Sequence, residues 1–170
     1  LARLTLALEK HRPALVIVEL GGNDGLRGIP IKDIRSNLDS IIRLSRKAGA
    51  KVLLIGMRIP PNYGPAYTRD FHQVFADVAS RYKLPLVPFF LDGIALDDEL
   101  MQEDGLHPNA SAQPKLLAQV WPVLQPLLAR GLGHGHEVPD RVLRCTDAAR
   151  GLHSDAMTGH QVPVAHDLEH

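Results

Sequence analysis

The stretch that decides the fold reads LVIVELGGND, residues 15–24. Its first six residues are apolar apart from Glu19 and rich in β-branched side chains, as is typical of a strand buried on both faces of a sheet. Similar short apolar runs follow at residues 51–57 and 84–89. The intervals between them are long enough for one helix each. Strands that alternate with helices in this way predict βαβ units and an α/β fold with a parallel sheet.

The segments around these strands carry apolar residues at helical spacing. This spacing predicts helices over residues 1 to 11, from about Ile34 to Gly49, from Tyr67 to Tyr82 and over residues 116–128, the last kinked at Pro122. We therefore expect residues 1–128 to form one unit, part of an α/β domain.

The remaining residues, 129–170, show no sustained periodicity, and we expect an irregular or disordered tail. The tail holds six of the nine histidines, which raises the alternative of a metal site. Their spacings match no compact ligand set, so no metal site is predicted. These histidines are His134, His136, His153, His160, His166 and His170.

Composition narrows the classes of partner. The 170 residues contain 19 basic and 19 acidic side chains, and this balance gives no reason to expect nucleic acid as a partner. The single cysteine, Cys145, cannot form an intramolecular disulfide. No apolar run approaches the ~20 residues of a transmembrane segment.

Two glycines and an asparagine, GGND at residues 21–24, directly follow the first strand. Ligands in open α/β sheets bind at the carboxyl ends of strands, and glycine lets the backbone approach a substrate closely. The amide of Asn23 could donate a hydrogen bond to a developing oxyanion. Because these residue types are also common in turns, a plain turn is the alternative. A flavodoxin-like nucleotide binder is disfavoured, since the G-x-G-x-x-G spacing is missing.

A second pattern, DGLHP, occupies residues 104–108. A carboxylate three residues before a histidine can accept a hydrogen bond from the imidazole Nδ1–H. That bond would leave Nε2 of His107 free to act as a general base, with Asp104 as its orienting partner. Pro108 and Asn109 suit a helix start just afterwards. The alternative is an incidental Asp–His pair or a helix cap.

Together, the two patterns resemble the SGNH (GDSL-type) hydrolase family, in which an Asn block is followed much later by an Asp-x-x-His block. The similarity extends over residues 18–28, 58–64, 88–90 and 101–109, which look like the branch of bacterial thioesterases, lysophospholipases and arylesterases. It covers roughly residues 1 to 128. The resemblance implies a three-layer α/β/α, flavodoxin-like fold with a parallel sheet.

The resemblance also implies a serine hydrolase of carboxylic esters or thioesters that needs no metal or cofactor. A serine would attack the carbonyl of a small acyl substrate. His107 would take and return the proton, Asp104 would orient His107, and Asn23 would serve the oxyanion hole. Substrate-binding residues would be Gly22, then Asp24, Gly25 and Leu26 in a mobile loop that runs to Pro30, and Ile59 and Pro60 in the acyl pocket.

The family's Gly-Asp-Ser block is missing from the 170 residues. Ser36, Ser40, Ser45 and Ser80 fall within predicted helices, Ser111 at a helix start suits a cap, and Ser154 lies in the tail. We therefore expect an incomplete fold, the C-terminal part of the domain, with the first strands and the serine upstream of Leu1. The alternative is an inactive remnant that at most binds acyl ligands or a partner.

Loss of the first strands would leave the strand at residues 15–20 with an uncovered apolar edge. Such an edge predicts marginal folding and self-association. Any signal peptide would also lie upstream, so the compartment is unassigned, and a periplasmic or secreted location follows from family analogy alone.

Overall fold

The structure, a computed structural model, describes residues 2–129 and 142–146. Three strands and four of the five helices occur where the sequence predicts them. In chain order the elements are α1 (Ala2–His11), β1 (Leu15–Glu19), α2 (Gly22–Leu26), α3 (Ile31–Lys47), β2 (Lys51–Ile55), α4 (Pro65–Tyr82), β3 (Leu86–Val87), α5 (Gln113–Ala129) and β4 (Val142–Thr146), with 3-10 turns at Pro61–Tyr63 and Ala110–Ala112.

The four strands form one parallel sheet in the order β3-β2-β1-β4. The predicted parallel α/β sheet is therefore confirmed. In a parallel sheet the carboxyl ends of all strands share one edge, and the loops that follow them meet there. Both candidate patterns follow strand ends: GGND leads from β1 into α2, and DGLHP lies in the long segment between β3 and α5.

The expectation of an uncovered β1 edge is wrong, because β4 pairs with it from Leu15↔Val142 to Glu19↔Thr146. Residues 142–146 are therefore a strand rather than part of an irregular tail. Pairing satisfies the backbone groups of β1 and buries Leu143 and Cys145, each only 1% exposed. The rest of the tail, including its six histidines, lies outside the described residues.

One face of the sheet is covered by α1, α3 and α4. Their apolar side chains share a core with alternate residues of the strands, such as Val16, Val18 and Leu54. Ion pairs between Arg35 and Asp77 (2.7 Å) and between Arg81 and Asp39 (3.1 Å) also connect α3 with α4.

The opposite face packs against α5. The core residues here are Leu15, Leu53, Ile55 and Val87, which contact the partly buried Val120, Val123, Leu124, Leu127 and Leu128 of the helix. The helix runs through both Pro122 and Pro126. The kink expected at Pro122 stays a prediction.

Candidate active site

The side chains of Asp104 and His107 lie in contact, as the three-residue spacing predicts. The Nδ1 atom of His107 is 2.6 Å from Oδ2 of Asp104. Both side chains are accessible, His107 at 71% and Asp104 at 43%. An imidazole that faces a carboxylate through Nδ1 directs its Nε2 atom away from the pair, where a substrate proton could reach it.

Asp104 is fixed by more than the histidine side chain. Its Oδ1 atom accepts hydrogen bonds from the backbone N–H groups of Leu106 (2.9 Å) and His107 (3.0 Å). The hydrogen bond from the His107 side chain, followed by these two backbone bonds, lowers the pKa of Asp104 from 3.8 to about 2. The carboxylate is therefore ionised at neutral pH and ready to stabilise an imidazolium.

The loop that carries this pair is closed by backbone pairing. Met101 and Pro108 form an antiparallel bridge, and the N–H of Gln102 donates to the carbonyl of His107 at 2.8 Å. Gly105 at the turn has φ +62°, a left-handed conformation that glycine adopts without a steric penalty. The backbone on either side of the Asp–His pair is thus held in place.

Asn109 anchors the same loop, a role that the sequence analysis missed. Its side-chain amide donates to the carbonyls of Glu99 (2.8 Å) and Met101 (3.2 Å), and its backbone N–H donates to Leu100 (2.8 Å). Its Oδ1 accepts from the N–H of Ser111 at 2.9 Å. The helix-capping role expected of Ser111 therefore belongs to Asn109, and the Asn-x-Ser spacing was the available signal.

The GGND stretch opens a short helix rather than a plain turn. Gly21 turns the chain at φ +112°, and α2 begins at the next residue. Asn23 lies in the first turn of α2 with an exposed side chain, four residues beyond the carboxyl end of β1. It thus occupies the strand-end edge of the sheet, where an oxyanion donor is expected.

The predicted substrate residues differ in exposure. Gly22, Asp24 and Leu26 are half-buried and Pro60 is exposed, whereas Gly25 and Ile59 are buried. A Cβ atom at Gly25 would lie 2.5 Å from the ring of Phe71 and 2.9 Å from Cγ2 of Ile59. Gly25 of α2 is therefore packed closely against Phe71 and Ile59.

The segment from Asp24 to Pro30 is tied down by hydrogen bonds. The N–H of Ile29 donates to the carbonyl of Asp24 (3.0 Å), and the hydroxyl of Tyr67 donates to the carbonyl of Ile29 (2.7 Å). Mobility of this segment stays a prediction, and any motion must break these bonds.

A further cation, not assigned from the sequence, lies beyond the carboxyl end of β2. Arg58 has its Nη2 atom 3.3 Å from Nε2 of His72, and its guanidinium carbon lies 5.1 Å above the ring of Phe89. The stacked ring orients the guanidinium at the strand-end edge of the sheet.

The serines of the described residues occupy helices. Ser36, Ser40 and Ser45 lie in α3, Ser80 in α4 and Ser111 in the 3-10 turn, while Ser154 lies outside the described residues. None of the five follows a strand directly, which is where a nucleophile would be exposed on a sharp turn.

Residues 2–129 and 142–146 contain no group of three His, Cys, Asp or Glu side chains that could hold a metal ion. Nor is any helix in this part of the chain both long and apolar enough to cross a membrane.

Comparison with known proteins shows the family of the chain. A model of the GDSL-like lipase/acylhydrolase family matches residues 1–113. The chain belongs to this family. Within the GDSL-like family it is 52% identical over 128 residues to esterase TesA of Pseudomonas aeruginosa, and 41% identical over 128 residues to a thioesterase 1/protease 1/lysophospholipase L1 of Escherichia coli.

These alignments cover 75% of this chain, but only 64% and 62% of the two relatives. The chain thus spans less than two thirds of their length. The crystal structure of a TesA matches with a TM-score of 0.71 at 52% identity, covering 75% of this chain and 71% of that one. The GDSL-like chain therefore has the SGNH fold in an incomplete form.

Proposed function

We propose that this GDSL-like chain carries the histidine and aspartate of a Ser-His-Asp triad that hydrolyses carboxylic esters or thioesters. The observation that carries the proposal is the 2.6 Å contact between Nδ1 of His107 and Oδ2 of Asp104 on a closed loop. The substrate class follows the names of the relatives, which are esterases and thioesterases.

Each residue has a defined task in this reaction. The Nδ1–H of His107 donates to Asp104, so Nε2 accepts the serine proton as the serine oxygen attacks the carbonyl carbon. Asp104 stabilises the imidazolium that forms. His107 then gives the proton to the leaving alcohol or thiol, and water repeats the cycle to release the acid.

The tetrahedral intermediate carries a negative charge on the former carbonyl oxygen. We assign its stabilisation in part to the side-chain amide of Asn23, which is exposed at the strand-end edge after β1. A donor fixed on a short helix needs little reorganisation when that charge develops. Gly22, Asp24, Leu26 and Pro60 are the accessible positions for contacts with the acyl chain.

The five described serines lie in helical turns and Ser154 lies outside the described residues, so we infer that the nucleophile comes from another segment. We place it in the part of the relatives' length that this chain does not match. Because none of these five serines is placed as a nucleophile, they also favour a second candidate function. In that case the chain is a catalytically inactive remnant that only binds acyl ligands or a partner.

An activity assay separates the two functions. The unmatched part of esterase TesA, fused ahead of Leu1, should yield a protein that hydrolyses a short-chain p-nitrophenyl ester. The His107→Ala variant of this fusion should lose activity by about 10³-fold or more, since the base is removed. The matched control is His72→Gln on α4, which should stay within about twofold.

If the fusion folds and is inactive, or if His107→Ala and His72→Gln behave alike, the triad assignment is wrong. Equal hydrolysis by the 170-residue chain and its fusion would instead place the nucleophile within this chain, and Ser111 would be the first serine to replace.

A further inference from the structure

Three aromatic residues of α4 lie along one stripe of the helix. Tyr67, Phe71 and Phe75 are spaced four residues apart, which places each about one turn from the next. The rings of Tyr67 and Phe71 are stacked with their centroids 6.4 Å apart, and those of Phe71 and Phe75 meet edge to face at 5.5 Å. We call these three side chains the aromatic row. Because Phe71 and Phe75 are fully buried, the row is fixed in the core.

The segment that follows β1 contacts this row with the same four-residue spacing. A Cβ atom on Gly21 would lie 3.2 Å from Cζ of Phe75, and one on Gly25 would lie 2.5 Å from Cε2 of Phe71. At both positions the small size of glycine lets the backbone contact an aromatic ring directly. The first two thirds of the segment are therefore packed on two members of the aromatic row.

Tyr67 makes the third contact with the segment. Its hydroxyl donates to the carbonyl of Ile29 at 2.7 Å, four residues beyond Gly25. Partial burial, followed by the negative charges of Asp24 and ionised Tyr63, raises the pKa of Tyr67 above its ordinary value of 10.0. The hydroxyl is therefore protonated at neutral pH and can donate. Unlike the ring contacts, this hydrogen bond is directional, so it fixes the far end of the segment.

Hydrogen bonds within the segment connect these contacts to Asn23. The N–H of Arg27 donates to the carbonyl of Asn23 at 3.1 Å, and the N–H of Ile29 donates to the carbonyl of Asp24 at 3.0 Å. A segment bonded in this way moves as a unit. The bond between Tyr67 and Ile29 therefore affects where Asn23 lies, although Tyr67 itself contacts the opposite end.

We propose that Tyr67 is a positioning residue for the oxyanion hole of this GDSL-like chain, because its hydroxyl holds residues 21–29 on the aromatic row and so sets the place of the Asn23 amide. The inference rests on the proposed function, which assigns Asn23 to the oxyanion. A donor stabilises developing charge only where it is held in place beforehand, and a displacement of about 1 Å can cost about 10²-fold in rate. Loss of the Tyr67 hydroxyl should therefore slow the chemical steps rather than weaken substrate binding.

The fusion with the unmatched part of esterase TesA, which also tests the triad, provides the first measurement. Tyr67→Phe removes the hydroxyl and keeps the ring. We expect kcat for a short-chain p-nitrophenyl ester to fall about tenfold while KM stays within about twofold, because the donor acts on the transition state. The control is Tyr82→Phe, which removes a hydroxyl at the last residue of the same helix and should leave both constants unchanged.

A double-mutant cycle shows whether Tyr67 acts through Asn23. Asn23→Ala alone should lower kcat by about 10²-fold or more. Tyr67→Phe added to Asn23→Ala should then change kcat by less than about twofold, since the donor that it positions is gone. The proposal is overturned by a tenfold loss of kcat in both backgrounds, by a change in KM alone, or by equal kinetics of Tyr67→Phe and Tyr82→Phe.

Amide hydrogen exchange on the 170-residue chain tests the bond between Tyr67 and Ile29 without catalysis. The amide of Ile29 should exchange at least about tenfold faster in Tyr67→Phe than in the parent, whereas Tyr82→Phe should match the parent. Circular dichroism confirms that both variants are folded. Unchanged exchange at Ile29 would overturn the positioning role and leave the triad intact. A folded fusion without activity would refute the proposed function, and with it the role of Tyr67 in the reaction, even if Tyr67→Phe speeds the exchange.

Discussion

At the scale of single residues, the site depends on how Asp104 is held. A carboxylate with one histidine and two backbone N–H partners is charged and fixed in direction, although it is largely accessible to water. The sequence predicted the Asp–His contact because three residues can close one tight turn. It did not predict the anchoring role of Asn109, because its carbonyl partners on Glu99 and Met101 become neighbours only when the loop closes.

Replacement of Asp104 by Asn should make the free energy of unfolding depend less on pH in the acid range. The pKa of Asp104 is lowered to about 2 in the folded chain, so its stabilising contribution is present above its ordinary value of 3.8 and is lost as the pH falls through about 2. Solvent screening keeps this contribution to about 1 kcal/mol or less.

Urea unfolding at about pH 7 and about pH 2 measures this effect. Asp104→Asn should be the less stable protein at neutral pH, and most of this difference should be gone at about pH 2, where Asp104 is half protonated. The control, Asp70→Asn in an exposed ion pair with Arg69, should differ little at either pH. A stability gap for Asp104→Asn that persists in acid would contradict the cause given for the lowered pKa.

At the scale of elements, β1, β2 and β3 were predictable because each is a continuous apolar run with turn residues after it. β4 was missed because VLRCT, although it contains the strand-forming residues Val and Thr, is only five residues long and lies in a stretch without sustained periodicity. What makes it a strand is the unpaired edge of β1, a tertiary feature that local sequence does not encode. Likewise α2 was missed, because its glycines favour turns and its position is set by packing of Gly25 on Phe71 and Ile59.

The single cysteine gives a direct measure of β4 docking. Cys145 is buried against the sheet, and this burial raises the pKa of its thiol to about 11. A disulfide reagent at about pH 8 should therefore react with the native chain at least about 100-fold more slowly than with the urea-unfolded chain. Leu143→Asp, which places a charge in the same buried row, should remove this protection. Rapid reaction of the native parent chain would mean that β4 does not pair with β1.

At the scale of the whole molecule, the described residues form a parallel sheet with a complete layer of helices on one face and a partial one on the other. Incomplete coverage of one face of the sheet is expected of a chain that spans less than two thirds of its relatives' length. The strand edge that the sequence predicts to be uncovered is paired with β4. An exposed apolar surface lies instead on one flank of α5, at Leu117 and Trp121. Sequence reasoning could not locate it, because the exposure of Leu117 and Trp121 depends on which strands α5 covers.

The central claim, that His107 is oriented by Asp104 to act as a base through Nε2, can be tested on the chain itself. Long-range ¹H–¹⁵N NMR at alkaline pH distinguishes the two neutral tautomers of histidine, and the His107→Ala spectrum identifies the signal among the nine histidines. We predict that His107 carries its proton on Nδ1, and that Asp104→Asn disturbs this preference. A His107 protonated on Nε2 in the parent chain would contradict the account, because Nε2 could then accept no proton from a serine.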